Sequence, residues 1–126
     1  MLLAETRAEK LREIVRLLSD HTEEGRIEWT RAMPTGAEQV EYEGTISYEG
    51  TISRTDGHTG AVSSATFRIW RRYWGSDVVL RVALSDGYVL AFTNGVVETL
   101  YDMIQDRDPV LSAKIDGLLA WIGRDT

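Results

Sequence analysis

Residues 39–74 read QVEYEGTISYEGTISRTDGHTGAVSSATFRIWRRYW. The first half holds a tandem repeat, Tyr42-Glu43-Gly44-Thr45-Ile46-Ser47 followed at once by Tyr48-Glu49-Gly50-Thr51-Ile52-Ser53. Strand side chains alternate between two faces, so a repeat of even length keeps each residue type on its side. Val40, Tyr42, Gly44, Ile46, Tyr48, Gly50 and Ile52 share one face. Glu41, Glu43, Thr45, Ser47, Glu49, Thr51 and Ser53 share the other. Such alternation marks a half-buried strand. Short repeats also build β-helices, but those need at least three stacked units. Local duplication within one strand is the simpler reading.

The second half, Ala61 to Trp74, alternates in the same way. Phe67, Ile69 and Tyr73 lie on one face, with Arg68, Trp70, Arg72 and Trp74 on the other. Between the halves, Thr55-Asp56-Gly57-His58-Thr59-Gly60 is dense in turn formers. The stretch therefore reads as one long β-hairpin. Pairing Arg54 with Ala61 puts both apolar sets on one side. It sets Tyr48 opposite Phe67, Ile46 opposite Ile69, Glu43 opposite Arg72 and Ser47 opposite Arg68. A one-residue slip would turn every apolar side chain to solvent, whereas a two-residue slip would not. Strands of this length reach roughly 46 Å at about 3.3 Å per residue, so the hairpin tip is expected to project from a small domain.

The rest of the chain is arranged to cover this hairpin. Leu3 to about Asp20 is amphipathic, with Ala4, Ala8, Leu11, Val15 and Leu18 on one stripe widened by Ile14 and Leu17. Glu9–Arg12 and Glu13–Arg16 are favourably spaced on the opposite side. Gly25 is placed to cap the helix. Arg26 to Ala32 reads as a short strand with Ile27 and Trp29 on one side. After the hairpin, Val78 to Ser85 and Tyr88 to Thr93 alternate around Asp86-Gly87, a two-residue hairpin signal. Val97, Leu100, Tyr101 and Ile104 then have helical spacing. Asp108-Pro109 opens a last helix, with Asp as N-cap and Pro in the first turn. Its stripe is Leu111, Ile115, Leu118, Leu119 and Ile122, and Gly117 within it is read as a point of close approach to the sheet.

The expected architecture is a single α+β domain over residues 1–126. It has an N-terminal helix, a four- to five-stranded antiparallel meander with one long hairpin, and two C-terminal helices packed on one sheet face.

Composition narrows the function. The chain has 126 residues, no cysteine, two histidines and a net charge of −6. No apolar run spans a membrane, and Leu2-Leu3 is followed by charge too soon for a signal peptide. Absent cysteine removes disulfides, thiolate zinc sites and cysteine nucleophiles, and a cytoplasmic location is the default expectation. The acidic balance argues against general duplex binding, which rests on phosphate neutralisation. No phosphate loop, dinucleotide glycine pattern, nucleophile elbow or calcium loop is present. His21 follows Asp20 at a helix end, where adjacent residues do not face each other and no serine or cysteine nucleophile is placed by sequence, and His58 in the hairpin turn reads as a solvated residue. The expectation is a non-enzymatic chain with no catalytic residues, metal or cofactor.

One surface stands out. Phe67-Arg68-Ile69-Trp70-Arg71-Arg72-Tyr73-Trp74 places arginine and tryptophan on the strand face that turns away from the helices. Three readings stay open. The arginines pair with Glu41, Glu43 and Glu49 in a cross-strand ladder. Alternatively the face binds a protein partner, such as a second copy of the chain. Or it stacks single-stranded nucleic acid. The expected function is an adaptor, inhibitor or immunity-type interaction module. Its partner-binding residues would be Arg68, Trp70, Arg72 and Trp74, with Glu43 and Tyr48 beside them. A small-molecule or hydrolytic pocket between helices and sheet, using His21 or a carboxylate, is the remaining alternative.

Overall fold

The computed structural model describes residues 6–32, 46–71 and 77–124. Expectations for Glu41, Glu43, Arg72, Trp74 and the open end of the long hairpin, residues 39–45 and 72–74, lie outside the described residues. Helix α1 (Arg7–Glu23) is followed by β1 (Thr30–Ala32), β2 (Ser47–Thr55), β3 (Val62–Arg71), β4 (Val78–Leu84) and β5 (Val89–Phe92). Two helices close the chain, α2 (Gly95–Asp106) and α3 (Pro109–Gly123). The five strands form one antiparallel sheet in sequence order. The α+β class and the meander expected from alternation are thus present.

Local chemistry sets the boundaries of α1. Thr6 is the N-cap, and Thr6 and Glu9 form a reciprocal capping box. Glu9 is thereby engaged at the cap, two free donors being satisfied at once. Arg16 instead bridges Glu13 and Asp20 along the exposed side. At the far end, Gly25 adopts φ +73°, the left-handed conformation that glycine adopts without a Cβ clash.

The hairpin register differs from the expected one by two residues. Tyr48 pairs with Ile69, Glu49 with Arg68, and Thr55 with Val62. The cause is the turn. The Asp56 carboxylate accepts from the backbone N–H groups of His58 (2.7 Å) and Thr59 (3.3 Å), and Gly60 turns at φ +71°. Asp56 N–H then donates to the Ala61 carbonyl at 2.8 Å. A four-residue loop therefore suffices, and pairing extends two residues further than expected. Facing is conserved, as an even slip must conserve it. Residues 53–63 are all exposed, so the tip projects as expected. The β4–β5 connection also differs. Leu84 N–H donates to the Tyr88 carbonyl, giving a three-residue loop with Gly87 at φ +93°.

The core lies between the inner sheet face and two helices. Val15 and Leu18 of α1 and Val97, Leu100, Tyr101 and Ile104 of α2 pack with Tyr48, Phe67, Ile69, Val78, Leu80 and Val82. Ile27 enters the same cluster, and Trp29 donates through Nε1 to Thr22 Oγ1 at 2.9 Å. Gly50 lets the two approach closely: a Cβ would sit 2.9 Å from Ile27 Cδ1 and 3.1 Å from Trp29 Cε3, so both side chains would have to shift to admit it. The side chains that approach this glycine are Ile27 and Trp29, just ahead of β1.

Candidate functional site

The strand face singled out by sequence is divided. Arg68 pairs directly with Glu49 across the hairpin at 3.2 Å, and its side chain is only 14% exposed. That is the cross-strand contact of the ladder reading, with Glu49 opposite Arg68 where Ser47 was expected. Trp70, expected to face solvent, is 7% exposed beside the buried Val79. Its Nε1 has no hydrogen-bond partner among the described residues. Ser47 on the same face is also buried, whereas Thr51, Ser53, Val62 and Arg81 are exposed. The sequence showed the alternation correctly but not that one end of the outer face is covered. Tyr48, expected as a neighbour of this surface, points inward and is 2% exposed. The structure thus brings Arg68 and Trp70 onto one face and separates Tyr48 from them.

Tyr48 belongs to a polar anchor that the sequence reading missed. Its hydroxyl donates to Asp108 Oδ2 at 2.8 Å, and Arg31 Nε donates to the same oxygen at 2.8 Å. The other carboxylate oxygen accepts from the N–H groups of Val110 (3.0 Å) and Leu111 (3.2 Å). One buried carboxylate therefore ties β1, β2 and the first turn of α3 together. Burial alone would raise its pKa, but the hydrogen bonds from Tyr48 and Arg31 outweigh that and hold it below the ordinary carboxylate value. Burial, then the bond to Asp108, pushes the Tyr48 phenol well above the ordinary tyrosine value. Tyr48 is thus a fixed donor and Asp108 a fixed anion. Tyr101 plays a parallel part for α2, donating to the Ile46 carbonyl at 2.7 Å and lying edge-on to Tyr48 with ring centroids 5.9 Å apart.

Helix α3 leaves this anchor and buries nothing. None of its residues is buried, although Asp108 caps it and Pro109 starts it as expected. Val110, Ile115, Leu118, Leu119, Trp121 and Ile122 are between 49% and 64% exposed. The stripe read from sequence as a sheet-facing core is correct in its periodicity and wrong in its cover. Gly117, expected to allow close contact with the sheet, has open space instead: a Cβ there would meet no atom within 4 Å.

A second feature lies between α1 and the projecting end of the hairpin. A groove of about 370 Å³ is floored by Ile52, Ala65 and Phe67 and walled by Ile14, Leu17 and Leu84. His21 and Arg54 stand at its rim. It is open to solvent and mostly apolar. No nucleophile–base pair accompanies His21 in the hydrogen bonds of the described residues. Nor does any group of three or more His, Asp or Glu among them have the arrangement to hold a metal ion. No described helix is long and apolar enough to cross a membrane.

The arrangement can therefore present an apolar helix and accept an apolar group. Family models, curated proteins and solved structures yield no match to this chain.

Proposed function

We propose that this chain is a non-enzymatic, cytoplasmic protein-interaction module whose contact element is α3. The observation that carries the reading is a well-capped helix with six large apolar side chains half-exposed and none buried. An apolar face of this size lies at the upper end of what monomeric proteins expose, and such faces often mark interaction sites. An isolated helix of 15 residues is also marginal in water without tertiary packing. The anchor at Asp108 fixes where the helix leaves the body, which gives a partner a defined surface to meet. The outer hairpin face supports the role less well, since Arg68 is ion-paired and Trp70 is buried.

Affinity capture from host lysate, with and without nuclease, tests this reading when the wild-type chain is compared with Leu118→Glu/Ile122→Glu. Nuclease-resistant, stoichiometric capture that the double variant loses is the expected result. Capture retained by that variant but lost on altering Arg72 and Trp74 would return the site to the hairpin. Capture that disappears with nuclease would favour single-stranded nucleic acid.

The groove beside α1 supports a second reading, a small amphipathic ligand with its apolar part on Phe67 and Ile52 and an anionic end near Arg54. Isothermal titration with a medium-chain fatty acid checks it. Binding weakened by Arg54→Ala is the expected outcome, and heat indistinguishable from dilution would remove the reading.

A further inference from the structure

We infer that the partner of α3 is α3 of a second copy of this chain. The inference rests on the interaction reading above and names its occupant.

The spacing of the stripe selects a helix as that occupant. Leu111, Ile115, Leu118 and Ile122 are separated by four, three and four residues. This is the alternation of a and d positions in a heptad, with isoleucine at a and leucine at d, the combination that favours two strands. Leu119 and Trp121 flank the seam at the neighbouring e and g positions and widen it. A seam this short does not form a free-standing coiled coil. It is long enough for two anchored helices to pack side by side over about 22 Å. Two identical seams are self-complementary, as a two-fold axis requires.

Charge favours a second copy over a membrane surface. Two chains of net charge −6 repel each other, so their contact must be free of acidic excess. Between Pro109 and Gly123 the only charged residues are Lys114 and Asp116, which sum to zero. Helices that lie in lipid interfaces carry Lys or Arg along the polar side. Here that side offers Ser112, Asp116 and glycine or alanine.

Area agrees. The exposed apolar side chains of α3 present on the order of 500 Å², at the upper range of patches seen on monomers. Two such faces bury about 1,000 Å² in total, the lower limit of specific interfaces. The association is therefore expected to be reversible, on the order of micromolar.

Sedimentation velocity of the full chain over a concentration series tests this. Wild type is expected to pass from monomer to dimer. Leu118→Glu/Ile122→Glu should raise the dissociation constant at least a hundredfold. Ala113→Glu/Ala120→Glu, on the opposite side of α3, should leave it within a factor of three. Circular dichroism spectra of the dilute monomers should match, since the substituted side chains are exposed. A wild-type chain that stays monomeric at several hundred micromolar overturns the second-copy inference. Partner capture that still depends on Leu118 and Ile122 would then preserve the interaction reading with a different protein. A dimer indifferent to the seam substitutions overturns the inference as well, and places the two-fold contact elsewhere on the chain.

Discussion

Helices α2 and α3 begin alike and end differently. Each opens on a side-chain cap, Asn94 accepting from Val97 N–H and Asp108 from Val110 and Leu111 N–H. Each carries an apolar stripe at helical spacing. Yet α2 buries Val97, Leu100, Tyr101 and Ile104, and α3 buries no residue. Periodicity reports that a helix has an apolar side; it does not report what covers that side. In α2 the cover is α1 and β4, whereas no described residue buries the stripe of α3.

The largest expected difference follows directly. Leu100 is 0% exposed, so Leu100→Ala should leave a cavity and destabilise the chain by about 2–5 kcal/mol in urea unfolding. Leu118→Ala, in dilute monomer, should change stability by less than about 0.5 kcal/mol. Equal costs at the two positions would break the comparison, because they would mean that α3 is packed in the monomer.

The two caps sharpen it. Asn94→Ala removes one cap and should cost about 1 kcal/mol. Asp108→Ala removes a cap and also leaves the Tyr48 hydroxyl without its acceptor, and about 2–3 kcal/mol is expected. Tyr48→Phe with Asp108→Ala should then cost less than the sum of the two single changes, which a double-mutant cycle measures. Additivity would show that the hydroxyl does not depend on Asp108.

Much of this was legible in the chain. Alternation in residues 46–71 and 78–92 gave the strands, and Asp108-Pro109 gave the start of α3. What escaped had physical reasons. The hairpin register depended on whether Asp56 would fold the turn onto its own backbone, and either even register faces the same residues inward. The burial of Trp70 depended on cover at one end of the outer face, which alternation does not encode. The Asp108 anchor joins Arg31, Tyr48 and Asp108, residues far apart in sequence whose only local signal was the cap. The exposure of α3 was hidden because a stripe that would suit a core also suits a partner. The contact proposed for this chain therefore rests on Leu118 and Ile122, which are exposed, and not on Arg68, which is ion-paired, or Trp70, which is buried.

Acid should separate the two helices next. Asp108 has a depressed pKa in the folded chain, so the unfolded chain takes up its proton first as pH falls. The stability it contributes is fully present above the unfolded value near pH 4 and is lost as pH drops through the lower folded value. Protonation weakens the Arg31 and Tyr48 contacts at the root of α3 and leaves the Asn94 cap of α2 untouched. Asp108→Asn should be less stable than wild type at neutral pH, with the gap closing below about pH 4. Urea titrations of both chains across that range check the sign. A gap that stays constant would mean that the carboxylate charge is irrelevant to the anchor.

The smallest effect tests what holds α3 itself. Gly117 lies in the helix interior with open space around it. Gly117→Ala should favour the helical state of α3 by about 0.5–1 kcal/mol, the difference in helix propensity. Because α3 buries nothing, that gain should appear in amide-exchange protection of residues 109–123 rather than in the global unfolding free energy. An alanine on α2 at an exposed position such as Thr99 should leave local protection close to that of the whole core, since packing already holds that helix. If Gly117→Ala raised global stability by its full amount, α3 would unfold together with the sheet. The monomer would then contain a contact between α3 and the body that the exposure of its side chains does not show.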